Sequence, residues 1–357
     1  MTTDNQTSNR GTPVADAFYL PADPCRQAQM WLPWPTDARL HDAVTAVAHA
    51  AADFAPVKLL VNPGQDKAAR AACGGFARDM LALKHTSPRL RDIGPTFLVD
   101  GKGGSAAVDW RFDGWGKRGS ADDAALAHEL LGAAEVRRFR APLTLEGSSF
   151  VADGHGTLLA LSSAAFDPAR NPNLGQLEAF GIFQNWLNVA RVVWLPQAHP
   201  GDALNTDVRA LASFVAPGAV AVTADQDNAV LARARDAQGK NLDLLHLPAP
   251  PPGGGARSYT NFVVVNGGVL MPAFDAPSDV RAADMLAEVF PGRVIRPVPA
   301  GALLEAGVTL TSLTLPHPAR LLERSRAMVL PRSAWDQPTP DAEALLQKYI
   351  DMADAEN

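Results

Sequence analysis

The sequence predicts an α/β fold built from repeated units, on three observations. Strand-like and helix-like stretches alternate along the chain, the pattern of an α/β architecture. Three strand–turn–strand runs, residues 96–112, 149–160 and 259–272, turn on Asp-Gly, Asp-Gly and Asn-Gly-Gly, the dipeptides that supply the backbone conformations of tight hairpins. A helical stretch follows each hairpin and a short apolar strand follows the helices. One hairpin–helix–strand unit therefore recurs, although the units share little sequence.

Taken in order, residues 40–52 are alanine-rich and place Val44, Val47 and Ala51 on one helical face. Residues 57–63 read as a short buried strand stopped by Asn62-Pro63. The strand 96–101 closes on Asp100-Gly101, residues 106–112 return, and residues 121–132 form the next helix. The hairpin 149–160 turns on Asp153-Gly154 and leads to a helix over 177–188 and a strand over 192–195. Residues 247–255, Leu-Pro-Ala-Pro-Pro-Pro-Gly-Gly-Gly, are the most linker-like stretch. They are expected as a surface loop rather than a domain boundary, since the hairpin 259–272 continues the same pattern. A helix over 280–290 and a strand at 294–295 complete that unit. Residues 1–17 are polar, without an apolar segment, and read as a disordered leader rather than a secretory signal. Residues 18–335 then form one domain, and residues 340–357 a C-terminal helix carrying Leu345, Leu346 and Ile350 on one stripe. That stripe packs on its own domain or makes the contact of a possible homodimer.

Composition narrows the function classes. The 357 residues are 47% hydrophobic and 20% charged, enough for a sizeable core. A net charge of −6 supplies no basic field, which argues against a nucleic-acid or anionic-membrane partner. There is no run of roughly 18 apolar residues to span a bilayer. Cys25 and Cys73 show neither metal-ligand spacing nor a disulfide framework, so two free thiols in a cytoplasmic protein are expected. Neither a metal nor a cofactor is called for.

Several short runs carry more specific information. In order they are Met30-Trp31-Leu32-Pro33-Trp34-Pro35, Arg91-Asp92-Ile93-Gly94-Pro95-Thr96-Phe97, Trp110-Arg111-Phe112-Asp113-Gly114-Trp115-Gly116 and Leu145-Glu146-Gly147-Ser148-Ser149. Asn171-Pro172, Phe214-Val215-Ala216-Pro217-Gly218, Tyr259-Thr260-Asn261-Phe262 and Phe290-Pro291-Gly292-Arg293 follow. Over about residues 20–325 this series resembles the agmatine deiminase and bacterial (Porphyromonas-type) peptidyl-arginine deiminase family. The resemblance implies a five-fold pseudosymmetric α/β propeller, a pentein, with its site and a small-molecule ligand in a pocket on the central axis.

Enzymes of that family attack a guanidinium carbon with a cysteine thiolate, hold the planar cation with paired carboxylates, and move protons with a histidine. The resemblance places the carboxylates at Asp92 and Glu146. Counting back from Phe214-Val215-Ala216-Pro217-Gly218 puts Asp207 where the family has its histidine and Arg209 where it has a further aspartate. The glycine turn Glu305-Ala306-Gly307 leads into Leu310-Thr311-Ser312-Leu313-Thr314, where the family's cysteine falls on Thr311 or Ser312. Trp31, Trp34, Trp115 and Asn261 are candidate substrate contacts. Each also has a structural reading. Asp92 and Glu146 can be buried pairs, with Arg209 pairing one of them or Asp207. The hydroxyls of a Thr/Ser strand usually bond neighbouring backbone. His199 and His317 read as loop histidines, and the tryptophans as core aromatics. Three functions follow: an enzyme with altered chemistry on a small polar substrate, an inactive pentein that binds a ligand or partner protein, and an ordinary deiminase.

Overall fold

Five small sheets follow one plan: an antiparallel hairpin whose second strand pairs in parallel with a third strand, reached through a helix. The computed structural model describes residues 11–74, 79–196, 207–224, 226, 228–255 and 257–319. The chain divides after Ala327 into two units, and the described residues belong to the first. The second sheet joins β4 (Thr96–Val99), β5 (Ser105–Asp109) and β6 (Arg137–Arg140). The third joins β7 (Phe150–Ala152), β8 (Thr157–Leu161) and β9 (Arg191–Leu195). The fourth holds β10 (Ala212–Ala216), β11 (Ala219–Thr223) and β12 (Asp243–Leu247), and the fifth β13 (Val263–Val265), β14 (Gly268–Ala273) and β15 (Val294–Pro299). The first comprises β1 (Gln27–Pro33), β2 (Val57–Val61) and β3 (Asp79–Ala82), and takes its leading hairpin strand, β16 (Leu315–Pro318), from the far end of the fold. The ring of modules is closed by that pairing, with Gln27 opposite Pro318 and Trp31 opposite Leu315.

Hairpin strands such as β7, β8 and β13 read as nearly unbroken apolar runs because both of their faces are covered. Side chains alternate across a strand, and here the two faces meet two different neighbours. Leu32 and Leu59 join Val263 and Leu270 in a core shared by modules one and five. Trp31 and Leu60, one position along, join Phe97 and Ala107 of module two. Phe214 and Val220 face module three, while Val215 and Ala221 face Val264 and Val269 of module five.

The crossover helices obey local rules. His41–Ala52 buries Val44, Val47, Ala48 and Ala51. Ala121–Ala133 starts at Ser120, whose hydroxyl accepts the Asp123 amide at 3.0 Å, with Asp122 and Asp123 in the first turn. Gln176–Leu187 stops at Asn188 in the left-handed region, and Pro277–Val289 opens on a proline. Among the described residues, the fourth module has the short helix Ala229–Arg233 in this place.

Some expectations change. The stretch read as a Thr/Ser strand is one helical turn, Leu310–Leu313, because Thr309 caps it: its hydroxyl accepts the Ser312 amide at 3.0 Å, and the Ser312 hydroxyl accepts the Thr309 amide at 2.9 Å. The β10–β11 hairpin, turning on Pro217-Gly218, was not anticipated. Of the leader, residues 11–17 include a 3-10 turn, Val14–Asp16, and Asp16 lies 2.5 Å from Arg137. The expected C-terminal helix and its dimer contact lie outside the described residues, as does His199.

One turn fixes how the N-terminal segment lies on the third module. Gly154 has φ +73°, and a Cβ there would stand 2.7 Å from that of Ala22. Gly154→Ala is therefore expected to lower stability by about 1–3 kcal/mol through backbone strain and this clash. Urea denaturation checks it; an unchanged midpoint would show that the segment 20–25 does not need this close approach.

Candidate functional site

Each module places a short turn immediately before its leading hairpin strand, and the sequence-predicted site residues other than Trp31, Trp34 and Trp115 all lie on these turns. Asp92 sits on Leu90–Ile93 before β4, Glu146 before β7, Asp207 and Arg209 around Val208–Ala210 before β10, Asn261 before β13, and Thr311 and Ser312 on Leu310–Leu313 before β16. All seven are buried. Hydrogen bonds join each turn to the next around the axis. Arg91 Nε donates to the carbonyls of Thr311 at 2.8 Å and Thr314 at 3.1 Å. The Ser148 hydroxyl donates to Asp92, and the Val208 amide donates to the Ser148 carbonyl at 3.0 Å. The Thr260 hydroxyl donates to the Arg209 carbonyl at 2.7 Å, and Asn261 Nδ2 reaches both Asp207 at 2.9 Å and the Thr311 hydroxyl at 2.7 Å. The Thr311 amide completes the circuit by donating to Asn261 Oδ1 at 3.1 Å.

Two carboxylate centres stand on this ring. At the first, Asp92 is ion-paired with Arg89, whose Nε lies 2.8 Å from its Oδ2, and accepts the indole N–H of Trp115 at 3.2 Å. Trp115 is held in the left-handed region at φ 52°, an unusual place for a bulky residue, with the Arg89 guanidinium 5.5 Å from its ring centre. Glu146 is gripped by both terminal nitrogens of Arg170, with Nη1 3.2 Å from Oε2, and Arg170 also contacts Asp113 at 3.0 Å. Burial pushes the Glu146 carboxyl above the ordinary value, and Arg170 only partly offsets this. Arg170 is itself raised: burial acts to lower it, and Glu146 and Asp113 outweigh that. At the second centre, Asp207 accepts the Arg209 amide at 3.0 Å on Oδ1, and Asn261 with the hydroxyls of Thr309 and Thr311 on Oδ2.

The two positions considered for the family's cysteine now differ. Thr311 turns its hydroxyl to Asp207, whereas the Ser312 hydroxyl donates to the Thr309 carbonyl at 3.1 Å and serves the cap. Arg209 does not pair with Asp92, Glu146 or Asp207 through its guanidinium. Its Nε and Nη2 hold Asp23 Oδ2 at 3.0 and 2.7 Å, and Nη1 donates to the Phe150 carbonyl at 3.2 Å. Burial acts to raise the Asp23 carboxyl, but Arg209 and Arg91 outweigh it and hold it below the ordinary value.

Trp31 and Trp34 are not at a mouth. Trp34 stacks on His41 at 4.2 Å, and Trp31 lies in the core under Lys58, 4.9 Å from its ring centre. His317 stacks on Phe97 at 4.1 Å. Sequence distance placed Cys25 far from the C-terminal turn. In the fold it lines a cavity of about 50 Å³ together with Asp23, Arg91, Arg209 and Leu315. Burial first, and then Asp23, push the Cys25 thiol up to about 12. Arg89, Arg91, Arg170 and Asp23 were missed as site residues. The signal available was that buried carboxylates require counter-charges, and Arg89 and Arg91 share a run with Asp92 while Arg170 precedes Asn171-Pro172.

A five-module α/β ring with charged groups carried on its axial turns defines a pentein propeller. The chain matches the Porphyromonas-type peptidyl-arginine deiminase family over residues 19–318, and it belongs to that family. An agmatine deiminase of Stutzerimonas stutzeri is 32% identical, the alignment covering 88% of this chain and 99% of that protein. One from Pseudomonas aeruginosa is also 32% identical, covering 86% of this chain and 97% of its own length. Among solved structures, the agmatine deiminase of Enterococcus faecalis superposes with a TM-score of 0.82 at 25% identity, over 87% of this chain and 98% of that one. Among the described residues no helix is long and apolar enough to cross a membrane.

The Glu146–Arg170 pair gives a direct test of the axial electrostatics. Arg170→Met leaves Glu146 buried without its closest counter-charge, and is expected to lower stability by about 3–5 kcal/mol at neutral pH. Arg170 is the largest influence lowering the Glu146 carboxyl, so its removal raises that group further, and the penalty should shrink as pH falls through the variant's raised value and protonation removes the buried charge. Urea titrations of both proteins at a series of pH values read this out; a pH-independent difference would contradict it.

Proposed function

We propose that this chain is a family member that does not hydrolyse guanidines, and that its axial site serves ligand binding. The observation that carries this reading is that both carboxylates expected to clamp a substrate guanidinium already hold the chain's own, Arg89 on Asp92 and Arg170 on Glu146. An incoming guanidinium would have to displace a buried, ion-paired arginine from each.

The chemistry of the remaining positions supports the same reading. Thr311 and Ser312 carry alcohols, which need a general base beside them to attack carbon. Asp207 stands beside Thr311, yet Asn261, Thr309 and the Arg209 amide already donate to it. Cys25 is near, but a thiol held at about 12 supplies almost no thiolate at neutral pH. Burial also raises the thiol of Cys73, which packs in the core behind Thr45.

A second reading, altered chemistry on a small polar substrate through Asp92, Glu146, Asp207, Arg209 and Thr311 or Ser312, is favoured by the direct Thr311–Asp207 hydrogen bond. It requires the axial ring to open, whereas the ligand-binding reading does not.

Ammonia-release and ureido-product assays with agmatine, free arginine and an arginyl peptide test the proposal. Loss of nucleophile and acid–base group together is expected to hold turnover about 10⁵-fold or more below an ordinary deiminase, since such residues act as one unit. Thr311→Cys or Ser312→Cys should restore little, because the neighbouring residue is still Asp207 and the carboxylates still hold Arg89 and Arg170. Wild-type turnover near about 1 per second, an ordinary enzyme rate, would overturn the proposal.

A further inference from the structure

The axis carries a local excess of positive charge beside an internal space. Arg91 and Arg209 both line the cavity of about 50 Å³, and the one carboxylate in its wall is Asp23. Each nitrogen of the Arg209 guanidinium has a partner, two on Asp23 Oδ2 and the third on the Phe150 carbonyl. Arg91 differs. Its Nε is held by two backbone carbonyls, but its terminal nitrogens have no hydrogen-bond partner among the described residues. The nearest carboxylate oxygen, Asp23 Oδ1, stays 4.0 Å from Nη1. Arg91 is only 7% exposed, so little of this half-satisfied guanidinium meets bulk solvent.

The other acids near Arg91 do not close the deficit. Asp92 is committed to Arg89, Trp115 and Ser148, and Asp207 to Arg209, Asn261, Thr309 and Thr311. Arg91 is accordingly lowered to about 10, by burial first and by Arg209 next, with Asp23, Asp207 and Asp92 opposing only in part. The space has room for an occupant of a few heavy atoms, since a water needs only roughly 10–15 Å³ measured this way.

We propose that this cavity binds a small monovalent anion, of the size of formate or bromide, held by the terminal nitrogens of Arg91 beside Arg209, with Asp23 as its built-in competitor. This rests on the reading of the axis as a ligand site and names the ligand's charge and size. Asp23 lies on the segment 20–25 with its side chain 30% exposed, so an anion reaches the guanidinium groups from its side of the cavity. Removing the Asp23 charge therefore strengthens the site, whereas a purely structural ion pair is only weakened by that change.

Crystals of the full chain grown with sodium bromide test the site directly. An anomalous peak in contact with the Arg91 guanidinium is expected, and peaks confined to the surface would overturn the proposal. In solution, thermal shifts with sodium formate, at ionic strength matched with sodium gluconate, should show stabilisation by formate, since gluconate is too large for the cavity. Asp23→Asn should bind formate about ten-fold or more tightly than wild type, as expected when a competing carboxylate is removed, and Arg91→Gln should lose the response. Equal formate and gluconate responses in wild type, or an Asp23→Asn protein no more responsive than wild type, would also overturn it. Should Asp23→Asn fail to fold, the wild-type bromide experiment decides alone. None of these readouts uses turnover, so agmatine hydrolysis accompanied by an axial bromide would sink the proposed function and support the anion site.

Discussion

Charges buried on the axis of this protein require partners, and the partners come from neighbouring modules. Arg209 of the fourth module reaches Asp23 of the N-terminal segment, Ser148 of the third bonds Asp92 of the second, and Arg91 of the second bonds the backbone of the last turn. Leaving one member of such a set unpaired in a dry interior is far more costly than never having buried it. The ring therefore tolerates little relative sliding, and the strands that follow each turn inherit its position. The cores between modules, with successive strand residues facing different neighbours, are compatible with that register alone.

Much of this was legible locally. Asp153-Gly154 and Asn266-Gly267 need positive φ, which glycine supplies, and apolar strands flank them, so the hairpins could be read from short windows. The turn Leu310–Leu313 could not, because its β-branched and polar residues suit a strand in isolation. The exchange of bonds between Thr309 and Ser312 decides for a helical turn instead. Ring closure left no local trace at all: nothing in Gln27–Pro33 announces that Leu315–Pro318 will lie beside it.

The site was legible as residue types and hidden as charge states. Asp92 and Glu146 could be placed by motif, but whether they face a ligand or an arginine of the same chain depends on where Arg89 and Arg170 fold. Arg209 was expected to find its counter-charge among the axial acids and finds it on Asp23, more than half the chain away in sequence. Trp31 and Trp34 sit in a motif that invited a binding role, and packing claimed both. The general lesson is that a pair of carboxylates identifies a guanidinium site only when their counter-ions have also been located.

The origin of strand β16 has a consequence for how the molecule comes into being. The first module is synthesised first yet finished last, since its outer strand lies close to the end of the described chain. During translation β1 would present an open edge, with the apolar side chains of Trp31 and Leu32 poorly covered and its backbone free to pair with another chain. The closing contacts span nearly the whole propeller in sequence, and pairing across so long a loop is intrinsically slow. The ribosome-bound intermediate is thus the species in which that open edge is most exposed to aggregation.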